Sequence, residues 1–253
     1  MFDLYLQDDG VARLTLNAPE RLNALRLEHW VQLSALASDL AAKPDLRAVV
    51  VAGAGDRAFC AGGDINEFWE KRMGAEAAQA YNAEVDRALL ALAAIPVPTV
   101  ARIHAACFGG GMMISLACDL RFAGTSAKFC IPPAKMGFAY NAWPLARLQH
   151  LVGPGHAFDL VYTARTLEAE EAERIGLVNA VAEDLDALVE NRLASILALA
   201  PLSHRAHKRL LNEAPEPSSL AERAMTDHLY DSEDYQEAVA AFTERRRPSF
   251  KGQ

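Results

Sequence analysis

No run of this 253-residue chain is both long and apolar enough to suggest a bilayer span. Residues 88–101 and 105–118 carry no charged side chain, but both fall short of the about 20 residues a transmembrane helix needs. Two prolines interrupt the first and three glycines the second. The acidic N-terminus lacks the apolar core and small-residue cleavage site of a secretory leader. Cysteine is sparse: Cys60, Cys107, Cys118 and Cys130 form no CxxC pair and no metal-ligand spacing. They read as free thiols of a reducing compartment, so the expected location is cytoplasmic and no metal is expected. Positive charge is in deficit, 25 Lys and Arg against 33 Asp and Glu for a formal net charge of −8. That argues against nucleic acid or an anionic membrane as partner. Sequence repeats and low-complexity linkers are also missing. What remains is an ordinary globular composition, 51% apolar and 23% charged, at a length that buries a core without covalent staples.

Residues 10–17 alternate apolar and polar side chains, the pattern of a half-buried strand, and Asn-Ala-Pro-Glu-Arg (17–21) closes it with a turn. Residues 27–42 have helical spacing with Pro44 as a stop, and Ala-Val-Val-Val-Ala (48–52) reads as a strand buried on both faces. A long glycine-bearing loop, 53–64, leads on towards a helix over 75–93. The pattern continues with a strand over 97–104, an apolar helix over 112–118 and a strand over 119–123. From Pro144 onward it is mostly helical: a helix over 168–175 capped by Gly176, a short strand over 177–181, then helices over 185–199, 201–212 and 218–247. Strands followed by crossover helices predict an α/β fold with parallel strands. His204 and His207, beside Arg205, Lys208 and Arg209 with no third ligand nearby, read as a solvated basic face and not as a metal site.

Two places join a buried strand, a glycine-rich loop and a helix start: Phe-Cys-Ala-Gly-Gly-Asp-Ile (59–65) and Cys-Phe-Gly-Gly-Gly-Met-Met (107–113). Backbone N–H groups in such loops are free of partners and, at a helix N-terminus, lie along a favourable dipole. Two of them converging would make an oxyanion hole. The alternative is that Gly109, Gly110 and Gly111 only let a helix pack closely on a strand. Other glycine motifs fail: Gly53 and Gly55 lack the third glycine of a dinucleotide fingerprint, and neither GxxxxGK[ST] nor GxSxG occurs.

Four motifs in order, Asn-Ala-Pro-Glu-Arg-Leu-Asn-Ala-Leu (17–25), the 59–65 loop, the glycine triple with Ala-Cys-Asp-Leu (117–120), and Ala-Phe-Thr-Glu-Arg-Arg-Arg-Pro-Ser-Phe (241–250), resemble the enoyl-CoA hydratase/isomerase (crotonase) family across essentially the whole chain. The resemblance implies a spiral of ββα turns over residues 1–195 that binds acyl-CoA. It also implies a C-terminal helical region, 196–253, that makes a homotrimer or a dimer of trimers. It implies an acyl-CoA thioester substrate whose oxygen is held by the N–H groups of Gly63 and Gly110. Coenzyme A would enter only as part of that substrate, with no separate cofactor. Asn23, Ala24, Leu25, Ala61, Gly62, Asp64 and Ile65 would cradle the CoA, and Arg245 would take the place of a family lysine that reaches the CoA phosphates.

The hydratases of the family use two glutamates; this chain has Met113 and Pro133 at those positions, and neither transfers a proton. The proline also removes the base of one isomerase branch. Asn141 stands where dienoyl-type isomerases have an aspartate, and no aspartate lies between Asp119 and Asp159 to serve a dehalogenase-like reaction. Gly-Phe-Ala-Tyr-Asn (137–141) is similar to a stretch of the methylmalonyl-CoA decarboxylase branch, as is 230–237, although that branch carries a histidine where this chain has Gly63. Decarboxylation of a malonyl-type ester needs no base, only an oxyanion hole, a pocket that desolvates the carboxylate, and a proton source. Tyr140 would be the orienting donor, with Met113, Pro132, Pro133, Phe138, Asn141 and Trp143 around the acyl group. The alternatives are a hydratase, isomerase or thioester hydrolase with an acid or base from elsewhere, such as Glu67 or Asp64, and a non-catalytic acyl-CoA-binding protein. Tyr140 itself could instead be a packed core residue.

Overall fold

Alternation at the N-terminus produces β2 (Val11–Leu16), which pairs antiparallel with β1 (Phe2–Leu6). β1 buries only Phe2, so it has no buried face to betray it in the sequence. The computed structural model of the protein describes residues 1–213 and 230–253. Beyond β2 the sheet continues in parallel through β3 (Ala48–Gly53), β5 (Thr99–Ile103), β7 (Leu120–Gly124) and β10 (Ala180–Ala182), in the order β1-β2-β3-β5-β7-β10. A second sheet holds β4 (Ala58–Cys60), β6 (Ala106–Phe108), β8 (Lys128–Cys130) and β9 (Leu167–Glu168), parallel except for its last pair.

Three of the long strands, β3, β5 and β7, each feed a short one in the second sheet and then a helix. β3 and β4 lead to α2 (Phe68–Lys71) and α3 (Ala75–Ala93). β5 and β6 lead to α4 (Gly110–Ala117), and β7 and β8 to α5 (Ala142–Thr163). This is the expected spiral of ββα turns. α1 (Leu27–Ala41) packs against α3, burying Trp30, Leu33, Ala37 and Leu40. The unbroken apolar run of β3 is explained by cover on both faces. Val49 and Val51 enter the main core, while Val50 meets Leu185, Val189 and Leu193 of α7 (Leu185–Leu197). α4 is buried on every side, as its uniformly apolar sequence requires. Arg121 is buried too, but its guanidinium donates to the carbonyls of Ser115, Cys118, Asp119 and Leu177, so its burial leaves no polar group unanswered.

Three expectations need correction. The strand expected over 177–181 begins only at Ala180, because after the left-handed Gly176 that follows α6 (Ala169–Arg174) the N–H groups of Leu177 and Val178 turn back to Ala172 O. The helix expected over 218–247 lies partly outside the described residues. Within them it is α9 (Glu233–Glu244), started by Ser232 Oγ, which accepts from Tyr235 N at 3.1 Å. Of the basic residues of α8 (Pro201–Glu213), His207 and Arg209 are exposed as expected, but Arg205 and Lys208 are drawn in against the strands. Lys208 Nζ reaches Asp119 Oδ2 at 2.7 Å and Val97 O at 3.0 Å, and Arg205 donates to Pro44 O and Leu46 O. These acceptors lie just before β3, β5 and β7, so α8 docks at the N-terminal ends of the parallel strands. Among the described residues no helix is long and apolar enough to cross a membrane, and no cluster of His, Cys, Asp or Glu could hold a metal ion. All four cysteines are buried free thiols.

Candidate active site

β4 and β6 are parallel neighbours, with Ala58 paired to Ala106 and Cys60 to Cys107. The loops leaving their C-terminal ends therefore emerge side by side, the usual place for a ligand on parallel strands. The loops meet backbone to backbone. A Cβ on Gly109, whose φ is +51°, would lie 3.3 Å from Gly62 Cα, and a Cβ on Gly62, at φ +113°, would lie 3.5 Å from Gly110 N. Gly111 serves packing, since its Cβ would sit 2.5 Å from Cys60 O. Close packing of helix on strand is thus the work of Gly111, while Gly109 and Gly110 bring the two loops together.

Leu25 forms a parallel bridge with Gly63: its N–H donates to Gly62 O at 2.8 Å and its carbonyl accepts from Asp64 N at 2.7 Å. That pattern uses the groups on either side of Gly63 and leaves its own N–H without an acceptor. Gly110 is the first residue of α4, so its N–H has no intrahelical acceptor either. Neither N–H donates to a group among the described residues, and Gly63 and Gly110 line one cavity.

The cavity walls are Met113, Pro132, Pro133, Phe138 and Asn141, together with Ala61, Gly62 and the exposed Ile65 from the first loop. Tyr140 is buried against it, with a hydroxyl that has no hydrogen-bond partner among the described residues and lies 3.8 Å from the Cβ position of Gly109. Burial pushes the phenol far above its ordinary pKa, so it stays neutral and able to donate. Trp143 is not a wall of this cavity. The helical period of α5 turns it into a separate groove with Leu90 and Lys208, while Pro144, one position on, faces the cavity.

Several residues expected to touch CoA have side chains that hold the loops in place. Buried Asn23 accepts from Ala18 N at 2.9 Å and donates to Ala54 O, Ala58 O and Phe59 O. It and buried Leu25 support the first loop without lining the cavity, and Ala24 sits half-buried between them. Asp64 accepts from Arg26 Nε at 2.8 Å and caps Asn66; the Arg26 hydrogen bond, more than any other contact, holds its carboxyl below the usual range. Glu67 Oε1 accepts from Leu27 N at 2.7 Å at the start of α1. Both carboxylates considered as replacement bases are therefore engaged. Arg245 lies exposed just after α9, and no described residue of 230–253 lines the cavity.

Six further residues of the cavity, Phe68, Arg72, Tyr81, Asn82, Val85 and Asp86, were not among the expected site residues. Phe68 places ring atoms 3.0 and 3.2 Å from where a Gly63 Cβ would be, filling the room that a side chain at position 63 would use. The Arg72 guanidinium carbon lies 4.9, 5.0 and 4.4 Å from the ring centres of Phe68, Tyr81 and Phe138, and it donates to Asn82 Oδ1 at 2.7 Å. Asp86, one turn beyond Asn82 on α3, also lines the cavity, and its Oδ1 is buried without a hydrogen-bond partner. Tyr81 is raised to about 12, first by burial and then by the charge of Glu67. The available signal was the i, i+1, i+4, i+5 grouping of Tyr81, Asn82, Val85 and Asp86, which puts one partly polar stripe on an otherwise Ala/Leu helix.

A sequence model of the family described as enoyl-CoA hydratase/isomerase matches residues 7–253. A protein of Mycobacterium tuberculosis named a probable enoyl-CoA hydratase is 34% identical over 96% of this chain and 95% of its own length. The crotonyl-CoA hydratase of Syntrophomonas wolfei is 30% identical over 96% and 95%. Among solved structures, an enoyl-CoA hydratase/carnithine racemase from Magnetospirillum magneticum superposes with a TM-score of 0.94 at 35% identity, over 100% of this chain and 96% of that one.

Proposed function

Since the chain belongs to the enoyl-CoA hydratase/isomerase family, we propose that it binds an acyl-CoA thioester with the carbonyl oxygen between the N–H groups of Gly63 and Gly110, and turns it over through the enolate they stabilise. The observation that carries this reading is the pair of acceptor-free N–H groups on touching loops at the edge of one cavity. Each such donor lowers the barrier by about 3–4 kcal/mol, and apolar walls strengthen it by excluding water. CoA enters as part of the substrate, with residues 23–25 and 61–65 beside its path and Arg245 as a candidate contact for its phosphates. The C-terminal region 196–253 would join three copies, or two sets of three, and the free thiols suit the cytoplasm.

For the reaction we favour addition of water to, or migration of, an enoyl-CoA double bond, in keeping with the hydratase names of the relatives. Met113 and Pro133 cannot move a proton, so Asp86 is the acid–base: its carboxylate lines the cavity with one oxygen unpartnered, whereas Asp64 and Glu67 are tied. Decarboxylation of a malonyl-type ester is the second reading, favoured by the unpartnered hydroxyl of Tyr140 beside Gly109. There the C–C bond electrons would pass into the thioester enolate as CO₂ leaves, and the phenol would orient the carboxylate or protonate the carbanion.

Mass spectrometry of crotonyl-CoA, malonyl-CoA, methylmalonyl-CoA and ethylmalonyl-CoA incubated with the protein separates these readings. Water gained on crotonyl-CoA, and lost about 10²–10⁴-fold in Asp86→Asn, supports hydration. Loss of CO₂ that survives Asp86→Asn and fails in Tyr140→Phe supports decarboxylation. Esters that bind and are left unchanged favour a binding protein.

A further inference from the structure

A guanidinium withdrawn from water is costly unless an anion answers it. Arg72 is half-buried between the rings of Phe68, Tyr81 and Phe138, yet its hydrogen bond goes to a neutral amide, Asn82. No carboxylate pairs with it among the described residues. Burial is the largest influence on its titration and lowers its pKa, and neither Asp86 nor Glu67 is among the groups that act on it. Aromatic faces hold a cation in place without neutralising it, so the site presents a fixed, uncompensated positive charge.

Its position within the cavity gives that charge a use. Phe68 is shared: the edge of its ring abuts Gly63 and the ring also carries Arg72. The cation therefore stands about one ring away from the oxyanion position, in a cavity they share. The cavity, about 90 Å³, holds several water-sized atoms and suits a short acyl chain. Met113, Pro132, Pro133 and Phe138 give apolar surroundings in which an ion pair is strengthened. A planar guanidinium offers paired N–H donors that match a carboxylate.

We infer that Arg72 receives a second, free carboxylate on the acyl chain, so that the preferred substrate is the CoA thioester of a short dicarboxylic acid, saturated or unsaturated. This rests on the acyl-CoA reading above and holds for either reaction proposed there, since binding precedes both. A merely structural Arg72, tying α2 to α3 through Asn82, would leave the protein indifferent to charge at the far end of the acyl group.

Calorimetric titration of the full-length protein with succinyl-CoA and butyryl-CoA, which differ in that terminal group, tests the inference without relying on turnover. The expected result is about 10- to 100-fold tighter binding of succinyl-CoA, the range for a charge-assisted hydrogen-bonded pair in a desolvated site. In Arg72→Gln the two affinities should approach parity. Equal binding of both esters by the unmodified protein would overturn the inference and leave the acyl-CoA reading standing, as would a succinyl-CoA preference that survives Arg72→Gln. Binding of neither ester would overturn both. Parity in the unmodified protein overturns the inference even if Arg72→Gln folds poorly, and Arg72→Met, which keeps the apolar stem between the rings, then serves as the second arm.

Discussion

Tyr140 has a hydroxyl that the fold buries and leaves without a partner. A buried hydroxyl in that state costs about 1–3 kcal/mol of stability, and the ring could fill the same space without it. Tyr140→Phe should therefore melt at the same temperature as the unmodified protein or a few degrees higher, by about 2–4 °C for each kcal/mol recovered. If the phenol handles substrate, the same variant should lose turnover while changing KM little. A calorimetric scan and steady-state rates on one preparation check both halves. Lower stability with unchanged rate would return Tyr140 to the role of core residue. Phe68 illustrates the same exchange between packing and function from the other side. It occupies the room beside Gly63, so the first glycine loop is supported by a ring from elsewhere in the chain and not by its own side chain.

At the scale of elements, legibility followed the length of the repeating pattern. α3 is found over the residues its spacing predicts, and β2, β3, β5 and β7 to within a few residues, because α3 and β2 display their period and the doubly covered β3, β5 and β7 show as mostly apolar runs of about five residues. β4, β6 and β8 have three residues each, too few for any period, and so the second sheet went unseen. The two glycine loops that meet at the cavity were nevertheless legible, since each glycine cluster follows a buried strand and the second also opens a helix. Arg72 and Asp86 were not: their place depends on how α2 and α3 fold over the cavity, which no local pattern encodes. α8 was recognised as a helix but not as a clamp, because its acceptors are backbone carbonyls far away in sequence. Lys208 is largely buried and Asp119 partly exposed. Lys208→Met should therefore cost about 1–2 kcal/mol, less than a fully buried pair would. The acyl-CoA affinity should not change, since α8 docks at the strand ends away from the cavity. Chemical denaturation together with the titration described above measures both.

For the molecule as a whole, the site belongs to no single element. Its cavity gathers Trp30 from α1, Gly63 after β4, Arg72 and Asp86 around and on α3, Gly110 of α4, Tyr140 before α5 and Pro144 within it. These come from all three ββα turns, so a bound ester connects parts of the chain that separate on unfolding. A ligand that binds only the folded state stabilises it by about 2.7 kcal/mol at a concentration 100 times its Kd. For a chain of this size that is a rise of about 5–11 °C in Tm. A non-reactive acyl-CoA ester should produce a single transition shifted by that amount, with every part of the main core melting together. Free CoA has no thioester oxygen for Gly63 and Gly110 and no acyl group for the cavity, so its shift at the same concentration should be clearly smaller. Equal shifts from the ester and from free CoA would mean that the nucleotide end supplies the binding energy and that the two N–H groups do not hold the thioester in the ground state. Scanning calorimetry across a concentration series of each ligand distinguishes the two cases.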